Sequence, residues 1–380
     1  MGLRSGGPMG IVYRSIFLWT LTWLPPAILF WHFGFEPGLE PRNNFFRDVA
    51  GLGQCFLGYP LFLFAEWYID ASTSSALKTF VDRPVIDPRD RPFFKGIITQ
   101  LHRFRRMIKL DLACLAVAYL CSWLWISGEL ANGVETWHAH RGSDGLEHLT
   151  AAGAWAAFIG VPIYNYWWLR FLGKCAIWTW MLWKLSKLRL HLVPTHPDRT
   201  AGLYFISKTQ TTFGAAIFAF GVSAIAATIG HKLIIERASP LVFAVWGPLV
   251  GYIVLAPLSF TLPLLAFTPQ LRALKKRSVE QFNRQLANLS RQFEKEWLEA
   301  KNDKSKLVTA EISAMADINT AYFTVQKLRV VPFDFESMSK LLAATVSPFV
   351  PLANWLGVVP PQLQEFGAFV KEIFSSLNWG

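Results

Sequence analysis

Charge is scarce in this chain: 17% of its 380 residues are Asp, Glu, Lys or Arg, against 52% that are hydrophobic. With a mean hydropathy of +0.29, the composition falls on the membrane side of the usual globular range. Cysteine is scarcer still. Cys55, Cys114, Cys121 and Cys175 all lie inside apolar runs, and none belongs to a C-x-x-C pair, which excludes a conventional thiol metal or redox motif. There is no nucleophile motif, no glycine loop for phosphates and no H-E-x-x-H, so a conventional hydrolase or kinase is not expected. Acid is also short relative to base, giving a net charge of +11. The excess gathers in separate loops rather than on one basic face, which argues for anionic lipid and against nucleic acid as the partner.

What is present is a series of long apolar runs. A helix needs about 20 mainly apolar residues to cross roughly 30 Å of hydrocarbon. Ile16–Phe33, Val49–Ile69, Leu110–Leu130, Ala151–Leu172, Phe213–Ile235 and Leu241–Phe267 each come close to that length. The first run lacks a small-residue cleavage site and reads as a retained span. Tryptophan (17) and phenylalanine (31) are abundant, as expected of rings that settle at headgroup level.

Charge in the loops alternates. Lys78, Arg83, Arg89, Arg91, Lys95, Arg103, Arg105, Arg106 and Lys109 separate the second and third runs, whereas Glu129, Glu135, Asp144 and Glu147 outnumber Arg141 in the next loop. Lys184, Lys187, Arg189 and Arg199 follow the fourth run, and Arg272, Lys275, Lys276 and Arg277 follow the sixth. The positive-inside rule then places the N-terminus, the 70–109 loop, the 184–210 loop and the residues just after 270 in the cytoplasm.

Three elements carry further expectations. The helical pattern of 151–190 is too long for a bilayer, which predicts that its Trp-rich lower half extends into an intracellular bundle. Ala219, Ser223 and Ala227 form a small-residue face on the fifth run, suited to close helix approach and self-association. Pro248, Pro257 and Pro263 break the sixth run, a feature of helices that line water-filled routes.

Beyond the 1–270 transmembrane domain the pattern becomes amphipathic. Val279, Phe282, Leu286, Leu289, Phe293 and Trp297, then Leu307, Ile312, Met315, Ile318, Tyr322, Val325 and Leu328, predict a cytoplasmic helical hairpin over 271–331. In 332–380, Asp334 or Ser337 caps a further helix that leads into Leu341–Val358. That stretch is short for a span, which leaves a seventh crossing, a re-entrant segment or an interfacial helix open.

Three groups of residues are candidates for function. Glu66, Arg170 and Lys174 are intramembrane charges, costly unless paired or hydrated. Either Glu66 pairs with Arg170 or Lys174 near an inner vestibule, or each side chain snorkels to the interface. His196, Asp198, Arg199 and Gly202 form a loop motif that reads as a tight turn, with ligand binding as the alternative. His138, His140 and His148, with Glu147, lie in an acidic loop that reads as solvated; zinc or copper is the weaker alternative, and no metal or other cofactor is expected.

Leu192-Val193-Pro194-Thr195-His196-Pro197-Asp198-Arg199 followed by Gly202-Leu203 resembles a motif of a family of uncharacterised bacterial multi-pass inner-membrane proteins. Segments 161–190, 61–66 and 329–333 are similar to the same family, which has paired glycines where this chain has Ala201-Gly202. The resemblance implies a bacterial inner-membrane protein and imports no activity. The expectation from the whole sequence is an all-α polytopic membrane protein with about six or seven spans, associating with itself and with membrane lipids. Its function is expected to be channel- or transporter-like, with Glu66, Arg170, Lys174 and Pro257 on the route and a basic mouth favouring anions. The alternative is a membrane scaffold or signalling component whose hairpin docks a cytoplasmic protein.

Overall fold

Backbone groups in lipid must be satisfied within their own segment, and the apolar runs of this chain accordingly fold as helices. A computed structural model describes residues 8–33, 44–83, 85–105, 107–132, 136–142, 144–230, 232–233, 243–298 and 309–350. The long helices are α1 (Pro8–Phe33), α2 (Val49–Asp82), α3 (Arg91–Arg105), α4 (Ile108–Asn132) and α5 (residues 151–185). They are followed by α6 (Tyr204–Gly230), α7 (Phe243–Thr261), α8 (Thr268–Leu298), α9 (Thr309–Gln326) and α10 (Phe335–Val346). A small antiparallel hairpin, β1 (Ala139–Arg141) and β2 (Glu147–Leu149), joins α4 to α5. The protein is an all-α polytopic membrane protein.

Among the described residues, five helices are long and apolar enough to cross a membrane: α1, α2, α4, α6 and the rod that joins α7 to α8. Helix α5 is not one of them, because Trp, Tyr, Asn165, Arg170 and Lys174 dilute its apolar character. It nevertheless runs antiparallel to α4. Ser122 Oγ donates to the Ala157 carbonyl, Tyr119 to Phe158, and Tyr166 reaches Asp111 at the other end. Helices α2 and α6 are likewise antiparallel, with Phe80 against Phe205 at one end and Gly58 against Ser223 nearer the other.

Several boundaries differ from the sequence expectation. The second span does not end near Ile69: α2 continues to Asp82, giving 34 residues and a rod about 50 Å long. The 70–109 segment is therefore not a loop, and within it α3 buries Phe94, Ile97 and Leu101 and sets Phe104 edge-on to Trp180 of α5. Helix α6 begins at Tyr204, well before Phe213. Excess length beyond the hydrocarbon is absorbed in a helical layer at the basic end, where Ile86 bridges Leu190, His191 N–H donates to the Val85 carbonyl and Asp87 N–H to that of Arg189.

The small-residue face of α6 is used within the chain. A Cβ on Gly58 would lie 3.0 Å from that of Ser223, and one on Gly53 would lie 2.7 Å from that of Ala227. It packs α6 on α2 rather than on a second subunit. At this level α2, α5 and α6 each contain a π-helical segment: Gly53–Gly58, Ala156–Gly160 and Gly221–Ala226. A π turn displaces carbonyls from their usual donors. Hydroxyls reach carbonyls there: Ser122 and Tyr119 bond those of Ala157 and Phe158, and Ser223, itself 2.8 Å from Tyr164 Oη, donates to that of Ala219.

The expected break in the sixth span is also corrected. Pro248 and Pro257 sit inside α7 without interrupting it, and α7 passes into α8 through one 3-10 segment, Leu262–Phe267. Pro263 lacks an N–H, which in a 3-10 turn leaves the Phe260 carbonyl without its helical donor. Buried Gln210 of α6 replaces it: Nε2 donates to Phe260 O while Oε1 accepts from Trp178 Nε1 at 2.8 Å. One amide side chain thus ties α5, α6 and α7 together.

Helices α8 and α9 pack together as a hairpin. The turn at 299–308 lies outside the described residues. Asp334 caps α10 through the Ser337 N–H. Ser337 then lies 3.0 Å from Ser207, Ala344 packs on Gly214, and Pro348 packs on Gly221. Helix α10 therefore runs beside α6, in the same direction, from Ser207 to the level of Gly221. The rest of Leu341–Val358 and of 332–380 lies outside the described residues.

Candidate functional site

Glu66 and Asp70 are four residues apart on α2, and Arg170 and Lys174 are four apart on α5, so each pair shares one helix face. The helices lie side by side, and the two faces meet. Lys174 Nζ donates to Glu66 Oε1 at 2.6 Å and to Asp70 Oδ2 at 3.0 Å, and Arg170 Nη2 lies 3.4 Å from Glu66 Oε1. Arg170 also donates to Tyr166 Oη at 3.3 Å, and Tyr166 reaches Asp111 of α4 at 3.5 Å. The result is a network of three carboxylates and two cations across three helices. It is not sealed: side-chain exposure is 18% for Glu66, 25% for Lys174, 32% for Arg170 and 41% for Asp70.

The expected residues Glu66, Arg170 and Lys174 are thus brought together, paired rather than snorkelling apart. Asp70 and Asp111 were not anticipated. Asp70 repeats the four-residue step of the two cations opposite, a signal present in the sequence. Asp111 is legible only once α4 is known to flank α5. Pro257 is not part of this site: it is buried within α7, which contributes no residue to the network.

The 196–203 loop is built around one carboxylate. Asp198 accepts from the backbone N–H groups of Thr200, Gly202 and Tyr204, the last of which opens α6. His196 Nδ1 lies 2.9 Å from Asp198 Oδ1. Partial burial acts to raise the Asp198 carboxyl, but the three N–H donors outweigh it and hold the group below the ordinary carboxylate value. The winding needs left-handed backbone at Arg199 (φ 55°), Ala201 (φ 56°) and Gly202 (φ 94°). Arg329 N–H donates to the Arg199 carbonyl at 2.8 Å, locking the loop onto the segment between α9 and α10. The motif forms a tight turn that joins three parts of the basic end.

At the opposite end, His140 and His148 face each other across the β hairpin, with Asp144 2.8 Å from His148. His138 turns away, its ring 4.9 Å from Trp125 and 3.6 Å from Trp137 between centroids. The three histidines do not converge, and among the described residues no group of His, Cys, Asp and Glu side chains is arranged to hold a metal ion. The expected solvated loop is in part an ordered hairpin. Thr150 Oγ1 secures it by donating to the Trp137 carbonyl.

Together these features define a multi-pass helical membrane protein with a charged interhelical network toward its basic end. No protein-family model, curated protein or solved structure matches the chain.

Proposed function

We propose that the chain forms an oligomeric channel- or transporter-like protein of a bacterial inner membrane, with the N-terminus and the basic end cytoplasmic. The observation that carries this reading is the partial exposure of Glu66, Asp70, Arg170 and Lys174. Lipid solvates such groups poorly, so water or a neighbouring subunit has to cover them. The orientation rests on the concentration of Lys and Arg in the loops of one end. The bacterial setting rests on the Leu192–Arg199 resemblance.

Charge preference has two opposed contributions. The basic loops favour anions at the mouth, whereas the network itself holds three carboxylates against two cations. Purified protein in liposomes, assayed for chloride and potassium flux, tests the proposal. Flux above empty vesicles that changes in Glu66→Gln and Lys174→Gln supports it. Flux equal to empty vesicles for both ions overturns it.

A second reading, a scaffold docking a cytoplasmic protein, is favoured by the α8–α9 hairpin. Phe282, Leu286 and Leu289 of α8 stay half-buried, and Phe323 of α9 is 50% exposed, so the pairing leaves apolar surface uncovered.

A further inference from the structure

Toward the basic end, α5 and the 3-10 junction of α7 and α8 diverge and leave a cleft of about 480 Å³. Thr179, Trp180 and Trp183 form one wall, and Leu262, Pro263 and Ala266 form the other. The volume falls among ligand-sized sites, and the lining is mostly apolar. Two ammonium groups stand at one end of it. Lys187 Nζ lies 3.3 Å from the centroid of the Trp183 ring, and Lys184 Nζ lies 5.4 Å from the same ring. Among the described residues neither lysine forms an ion pair with a carboxylate. Gln270 of α8 ties the two sides together below, its Nε2 donating to the carbonyls of Ser186 at 2.6 Å and Leu188 at 2.9 Å.

We infer that this cleft holds one anionic phospholipid, with an acyl chain between Trp180 and Pro263 and its phosphate at Lys184 and Lys187. Each part of the geometry narrows the occupant. An apolar trough open to the side has no use for a water-soluble anion, which would lose its hydration there and gain no partner. Two cations held by an indole and by no carboxylate favour a net negative headgroup over a zwitterionic one. The depth is right for both, since the trough ends where the last apolar segment, Leu262–Phe267, gives way to Arg272, Lys275, Lys276 and Arg277. Trp183, 46% exposed, presents an amphipathic ring at the boundary between chain and headgroup, where indoles settle. Lys184 and Lys187 set their ammonium groups over that ring, at the same boundary. A lipid held there would brace α5 against the α7–α8 junction from outside, on the far side of the contact made inside by Gln210.

Native mass spectrometry of the full-length protein, delipidated in detergent and titrated with phosphatidylglycerol or phosphatidylcholine, tests the inference. The expected result is one strongly retained phosphatidylglycerol and no comparable phosphatidylcholine. In the double variant Lys184→Gln, Lys187→Gln that retention should fall roughly tenfold or more. Ala266→Trp, which fills the trough, should abolish it. Both lysine heads lie at the rim, so the double variant decides the matter even where Ala266→Trp fails to fold. Equal retention of the two lipids, or undiminished phosphatidylglycerol binding in the double variant, overturns the assignment. A change in oligomeric state on filling the trough, without loss of lipid, also overturns it, since a second copy would then be the occupant.

Discussion

Lys174 of α5 sits between two carboxylates one helical turn apart on α2, 2.6 Å from Glu66 and 3.0 Å from Asp70. Breaking a charge pair held away from bulk water leaves the remaining partner uncompensated, a larger effect than the pair itself contributes. Partial exposure moderates it. Lys174→Met should therefore destabilise the protein by about 1–3 kcal/mol, read as a lower unfolding temperature in detergent. In the cycle with Glu66→Gln, the coupling should be about 0.5–3 kcal/mol; strict additivity would mean that the two side chains do not interact.

Gln210 satisfies two buried groups at once, Trp178 Nε1–H and the Phe260 carbonyl. Gln210→Leu keeps the bulk and orphans both, at about 1–3 kcal/mol each. Thermal unfolding should show a loss of several degrees. A smaller loss in the double variant Gln210→Leu, Trp178→Phe than in Gln210→Leu alone would confirm that the orphaned indole carries part of it.

Asp198 holds three backbone N–H groups as a carboxylate, and its folded pKa is depressed. The stability that it adds is complete above the ordinary, unfolded Asp value near 4 and disappears as pH falls through the lower folded value. Unfolding temperature measured from pH 6 to pH 3 should fall less steeply in Asp198→Asn than in the unmodified protein. Identical pH profiles would show that the loop does not depend on the ionised form.

Ala201 and Gly202 both use left-handed backbone, at φ 56° and 94°. An L side chain pays about 1 kcal/mol there, glycine almost nothing. Ala201→Gly should raise stability by up to about 1 kcal/mol and Gly202→Ala should lower it by at least as much, both measurable by denaturation in one detergent.

Gly58 meets Ser223 where α2 crosses α6, with room for no further atom. Gly58→Val should overpack the crossing and cost about 1–3 kcal/mol. The oligomeric state should not change with it, because this face is occupied within the chain. Dissociation of an oligomer on this substitution would instead assign the small-residue face to a contact between subunits.

Much of the candidate site was legible because charges in apolar runs are rare and their four-residue steps define a helix face. Glu66, Arg170 and Lys174 stood out for that reason. Asp70 escaped notice at the margin of its run, where a carboxylate looks like ordinary headgroup chemistry. The prolines of the sixth run suggest a break, but α7 carries Pro248 and Pro257 within one continuous helix. The His196–Gly202 turn could be anticipated from its Pro, Asp and Gly. Its anchorage to Arg329 could not, since 130 residues separate the two partners of that hydrogen bond, the Arg199 carbonyl and the Arg329 N–H.

The sequence by itself determined that these helices need lipid around them, because runs of some 20 apolar residues leave no other solvent for their side chains. It also determined the alternation of the loops and the amphipathic hairpin, which follow from local charge and the 3.6-residue period. Only the tertiary structure decided where the rods end, which small-residue face is filled from within, and that α10 runs beside α6. Those outcomes depend on which surfaces meet, and pairwise packing between distant segments leaves no periodic trace in either one alone.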